Sequence, residues 1–190
     1  MVVRDAETKT VSWADITGAV VAAVAALGNL VGAFVIARAF FDDRGLLDDS
    51  LAGFTVLGAL VLAAVLGYSA VLHARGDETG RWILFVAAIV QIALGILGLL
   101  ACLLNYDPGY GIHWFERASD LRAILDAGTF LPGAVTALVT HSWLGALAAL
   151  VLGAVMGAAT VRLTPTARVS TVDAKPSGVT HPENLVGPAV

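Results

Sequence analysis

The sequence predicts an all-α, polytopic membrane protein: an up-down-up-down bundle of four transmembrane helices, with a short amphipathic surface helix between the third and fourth. Three observations predict it. Hydrophobic residues make up 58% of the 190-residue chain and charged residues only 14%, where a soluble domain carries roughly 25% charged residues. The few charges are segregated, and residues 16–37, 51–74, 82–106 and 127–161 contain no Asp, Glu, Lys or Arg. A helix rises about 1.5 Å per residue and the hydrocarbon core is about 30 Å thick, so some 20 apolar residues span it. Each of the four stretches is that long. They also lack the polar stripe, repeating every three or four residues, that a soluble core helix shows.

Residues 1–11 form a short polar arm. Ser12 and Asp15 have the spacing of a capping box, and helix 1 follows over about 13–38. This first stretch is too long for a signal sequence and is preceded by acidic Asp5, Glu7 and Asp15, so it reads as a retained helix. The connection to helix 2 carries Asp42, Asp43, Arg44, Gly45, Asp48 and Asp49, with Asp49 or Ser50 as a natural N-cap. Helix 2 covers about 50–74 and ends at His73. Gly76-Asp77-Glu78-Thr79-Gly80 is a tight turn into helix 3, about 81–105.

The longest connection opens on an Asp107-Pro108-Gly109 turn. Trp114, Ala118, Leu121 and Leu125 then recur at helical spacing, with Arg117, Asp120 and Arg122 between them and Gly128 as a C′ residue. This is the amphipathic helix, placed on the membrane surface. Helix 4 is expected over 133–162. Together 12–163 form the transmembrane domain. The tail, 164–190, has Pro165, Pro176, Pro182 and Pro188 and little apolar content, and is expected to order only against a partner.

Basic residues near the helix ends set the orientation. Arg4, Lys9, Arg75, Arg81, Arg162, Arg168 and Lys175 lie on the side of the termini, against Arg38, Arg44, Arg117 and Arg122 opposite. Both termini are therefore expected in the cytoplasm, with the chain in a plasma membrane. Trp13 and Trp82 then fall at the inner interface and Trp143 near the outer one, where indoles prefer to sit. Nine arginines against two lysines, with heavy Ala, Gly, Val and Leu use, suggest a GC-rich bacterial source.

The membrane interior, as read from sequence, holds no carboxylate, lysine or arginine, the residues that mark ion pathways in pumps and carriers. Nor does the sequence contain a nucleotide loop, HExxH, CxxC or GxSxG motif. No catalytic residue, cofactor or metal is expected, and a chain of net charge −4 is not expected to bind nucleic acid. The acidic pairs Asp42-Asp43 and Asp48-Asp49 read as a solvated face, because calcium needs six to eight converging oxygens. Cys102 allows no internal disulfide and reads as a small buried hydrophobe. His73 and His141 stand at opposite membrane faces, too far apart to share a haem iron. His113 and His141 share the outer side, where with Trp114 they outline a conceivable lipid, quinone or haem contact.

Two amides lie at depth, Asn29 in helix 1 and Gln91 in helix 3, and they read as interhelical glue, joined directly or through one intermediary. Small residues are the clearest positive pattern. Gly145, Ala149, Gly153 and Gly157 recur every four residues in helix 4, and helix 1 offers Gly28 and Gly32. Such faces let backbones approach closely where lipid gives helices no hydrophobic reason to associate, and helix 1 is the expected partner of helix 4. The function that follows is non-catalytic: an accessory or assembly subunit of a larger membrane complex, a respiratory one being a candidate, with membrane lipids and other subunits as partners. The alternative is a small protein handling a lipid, quinone or haem near His113, Trp114 and His141.

Overall fold

A computed structural model of the chain describes residues 13–42, 49–105 and 120–161. The N-terminal arm, most of the connection between the first two predicted helices, the Asp-Pro-Gly turn, His113, Trp114 and the tail lie outside the described residues. The described part is all-helical: α1 Trp13–Asp42, α2 Asp49–Ala74, α3 Glu78–Leu104, α4 Asp120–Ala127, α5 Leu131–Val139 and α6 Trp143–Thr160. α1, α2, α3 and α6 are each long and apolar enough to cross a membrane.

What these helices bury confirms the solvent they are built for. In α1 the buried positions are Gly18, Ala22, Ala25, Ala26, Asn29, Gly32, Ala33, Asp15 and Ile36, while Val20, Val24, Leu27, Val31 and Phe34 face outward. A water-soluble protein does the reverse, placing its large aliphatic side chains inside. Small residues inside and large apolar ones outside suit a helix surrounded by lipid. The protein is a multi-pass membrane protein.

Local sequence sets the ends. Gly76, in the left-handed region at φ 66°, closes α2, with the Gly76 N–H on the His73 carbonyl at 2.8 Å and the Asp77 N–H on that of Leu72 at 2.9 Å. The Asp77 side chain then caps α3 by accepting from the Thr79 amide at 2.8 Å. Asn105, at φ 45°, terminates α3.

The predicted fourth helix is not continuous. The chain breaks at Thr140, His141 (φ 53°) and Ser142, separating α5 from α6. The break is stabilised by hydroxyls that bond to nearby backbone: Thr140 Oγ1 donates to the Thr136 carbonyl at 2.8 Å, and Ser142 Oγ accepts from the Gly145 amide at 3.1 Å, capping α6. α4 is amphipathic as its spacing predicts, but it folds back against α5 and α6. α4 and α5 thus make a helical hairpin with its tip at residues 128–130. Gly133 is required there, since a Cβ on it would collide with the Asp126 carbonyl.

The hairpin tip reaches the middle of the protein. The Phe130 carbonyl meets the side chain of Gln91, the central residue of α3, with thirteen residues on either side. At the α-helical rise that places the tip about 20 Å from the C-terminal end of α3. Around the tip and toward the α2–α3 turn, Ala22, Ala25, Ala26, Leu66, Leu84, Ala87, Ala88, Phe130 and Met156 form one core. Toward the C-terminal ends of α1 and α3, α5 is a half-length helix between the spans: Pro132 packs on Gly32, Leu131 on Gly58, and Val135 and Val139 on the Ile36–Ala52 contact of α1 and α2.

The small-residue faces find different partners from those expected. α6 lies antiparallel on α3, with Ala146 against Gly98, Leu150 against Gly95, Gly153 against Ile92, and Gly157 against Ala88. Gly145 faces Ala137 of α5, and Ala149 is fully buried. Gly28 and Gly32 of α1 receive the hairpin tip instead, through Gly128, Thr129, Phe130 and Pro132. The reason is the hairpin, which occupies the space along the C-terminal half of α1 that a continuous helix 4 would have filled.

Candidate functional site

The described polar groups at depth gather at the hairpin tip. Phe130 has φ 60° and ψ −110°, a conformation that costs a side-chain-bearing residue about 1–3 kcal/mol and persists only where surroundings enforce it. Its phenyl ring is buried against Gly28. As the residue before α5 it has no side-chain oxygen with which to cap that helix. Asn29, fully buried on α1, supplies the cap from across the bundle: its Oδ1 accepts from the Leu131 N–H at 3.3 Å, while its Nδ2 donates to the Ala25 carbonyl at 2.8 Å. Pro132 removes another amide that would otherwise need an acceptor. On the opposite side Gln91 Nε2 donates to the Phe130 carbonyl at 3.3 Å, and that carbonyl also accepts from the Ala134 N–H at 2.8 Å.

The two amides therefore meet through a peptide group. One holds its N–H and the other its C=O. Irregular backbone at membrane depth survives only where protein or water satisfies it, and here two side chains on separate spans do so. The arrangement clamps a re-entrant segment and spends Asn29 Oδ1 and Gln91 Nε2 on the chain's own backbone.

A second polar cluster lies at the end of the bundle that carries the α2–α3 turn. His73, only 1% exposed, sits between Gly18 of α1 and Gly80 of α3, where any Cβ would strike its ring. Its Nδ1 is 3.1 Å from the Ser69 carbonyl, its Nε2 has no hydrogen-bond partner among the described residues, and Ser69 Oγ donates to the Gly80 carbonyl at 2.8 Å. The sequence places His73 at the end of helix 2 as a packing residue, and it is packed there, in the last turn of α2.

The hairpin also carries charge inward. Asp126, within the stretch of α4 that folds onto α5, pairs with Arg122 at 3.8 Å. Beside it, Thr136, Thr140 and Ser142 line a small void with Gly133. Sequence reading confines these two ionisable residues to an outer loop; folding α4 against α5 brings them below the helix ends. Among the described residues no group of three or more His, Cys, Asp or Glu could hold a metal ion. His141 stands in the α5–α6 turn, and its expected companions His113 and Trp114 lie outside the described residues.

Sequence reasoning identified Asn29 and Gln91 but missed what they hold. The residues it missed are Phe130, Leu131 and Pro132, together with Ser69 and Gly80. Pro132 just after the amphipathic run was the available signal, since proline favours the first turn of a new helix. The chain matches no family model, no curated protein and no solved structure.

Proposed function

We propose that this chain is a non-catalytic accessory or assembly subunit of a larger protein complex in a bacterial plasma membrane, with both termini in the cytoplasm. The observation that carries the reading is the use made of Asn29 and Gln91. Asn29 Oδ1 and Gln91 Nε2 are both bonded to the hairpin backbone, which commits at mid-depth two polar groups a substrate would otherwise meet. Recognition then falls to the outward faces. Only 28–39% of the most apolar window of each span is buried within the chain, which leaves broad apolar surface for lipid and for neighbouring helices. The excess of basic residues on the side of the termini supports the orientation.

The test is extraction of the tagged full-length chain in a mild detergent without crosslinker. Other membrane proteins should co-purify in fixed ratio, and removal of residues 164–190 should weaken their retention while leaving the melting transition of the bundle in place. Recovery of monomers or small homo-oligomers alone would reject the proposal and favour the lipid-, quinone- or haem-handling alternative.

A further inference from the structure

α6 is shorter than the helix it lies on. Gly157 faces Ala88, so Thr160, the last residue of α6, is level with about Phe85. The first turns of α3 extend beyond it by roughly 10 Å at the α-helical rise. This step forms an open groove of about 220 Å³ lined by Glu78, Arg81, Trp82, Phe85 and Thr160. Its chemistry is graded along α3. Phe85, 40% exposed, lies deepest and apolar. Trp82 packs edge-on against it, with ring centroids 6.0 Å apart, at the level where indoles mark the membrane interface. Arg81 lies beside Trp82, its side chain only 18% exposed. Glu78, one turn nearer the helix start, is 77% exposed and accepts from Arg81 Nη2 at 3.0 Å. The Arg81 Nε–H is buried and has no acceptor among the described residues, so the guanidinium faces the groove through its other nitrogens.

We infer that this groove binds the headgroup of a zwitterionic phospholipid bearing a primary ammonium, a phosphoethanolamine group. From hydrocarbon to water the protein offers an apolar ring, a cation and a carboxylate. Such a lipid offers, in the same order, an acyl chain, a phosphate and an ammonium. The phosphate meets the guanidinium, which hydrogen-bonds phosphate oxygens more strongly than neutral donors do. A primary ammonium donates N–H hydrogen bonds to the Glu78 carboxylate, which a quaternary ammonium cannot do. A purely anionic headgroup brings no cation to the Glu78 carboxylate and so forgoes that charge-assisted pair.

The experiment uses the full-length chain in detergent, measuring melting temperature and native-mass lipid adducts with equal amounts of phosphatidylethanolamine, phosphatidylcholine or phosphatidylglycerol. Phosphatidylethanolamine should give the largest stabilisation and the most retained adduct. Glu78→Gln, at an exposed side chain, should abolish its advantage over the other two, and Arg81→Gln should weaken all three. Soluble phosphoethanolamine should leave the melting temperature unchanged. Equal stabilisation by the three lipids, or an ethanolamine preference that survives Glu78→Gln, would overturn the inference. A response to soluble phosphoethanolamine as large as that to the lipid would also overturn it, by assigning the groove to a water-soluble ligand.

Discussion

Asn29 and Gln91 look equivalent in the sequence, and the structure makes them unequal. Asn29 is the acceptor for the Leu131 N–H, whereas the Phe130 carbonyl held by Gln91 also takes the Ala134 N–H. A buried donor left without an acceptor costs about 1–3 kcal/mol. Asn29→Leu should therefore destabilise the protein by about that amount, and Gln91→Leu by less, in reversible unfolding from mixed micelles. Equal effects, or the opposite order, would show that the tip is held some other way. The glycines separate similarly. Gly53 and Gly67 have nothing within 4 Å of an added Cβ, whereas one on Gly153 would lie 2.7 Å from Ile92 Cγ1 and 3.1 Å from the Ile92 backbone. Gly53→Ala and Gly67→Ala should be neutral or stabilising by up to about 1 kcal/mol, the helix-propensity gain. Gly153→Leu should cost about 1–3 kcal/mol by overpacking, and thermal melts of the three variants check the ranking. Residue identity alone could not make this distinction, because spacing marks a small-residue face without saying what covers it.

At the scale of elements, the three first spans were legible because charge-free runs and turn chemistry mark them directly. The sequence-predicted 13–38, 50–74 and 81–105 agree in position with α1, α2 and α3, which extend by up to four residues. The fourth was not. Its charge-free run of 35 residues, 127–161, would make a helix of about 52 Å against a hydrocarbon core of about 30 Å, and that excess was the clue to a break. No glycine or proline marks residues 140–142; the hydroxyls of Thr140 and Ser142 act there, and such bonds compete with helix only in context. The partner of α6 was equally hidden, since a Gly-rich face fits either α1 or α3. Ala88 and Gly157 provide the test. An added Cβ on Gly157 lies 3.9 Å from Ala88 Cβ, within the range about 3.5–4.5 Å of a disulfide. The Ala88→Cys/Gly157→Cys pair, in a Cys102→Ala background, should crosslink nearly completely on oxidation. A pair joining Gly157→Cys to a cysteine at Gly28 should not, and crosslinking of that pair would restore the expected α1 contact.

The whole molecule combines two kinds of packing. One half lets the long helices approach through small residues, and the other is held apart by α5, whose tip rests on Asn29, Gln91 and the glycines of α1. That division explains why the candidate site was only half visible. Two amides at depth can be read from any sequence, but the peptide between them comes from a segment about 40 residues further along than Gln91 and 100 beyond Asn29. It also explains why an amphipathic, charged helix is not confined to the surface: Arg122 and Asp126 enter together as a pair. The direct measurement is the depth of the hairpin in a bilayer. Single cysteines at Asp120 and Thr129, in the Cys102→Ala background and carrying spin labels, report depth through the ratio of oxygen to water-soluble relaxant accessibility. The label at 129 should lie near mid-membrane, shielded from the aqueous relaxant, with the label at 120 about 13 Å nearer the surface, nine residues along at the helical rise. Equal access of the aqueous relaxant to both positions would place α4 and the tip flat on the surface and contradict the re-entrant hairpin.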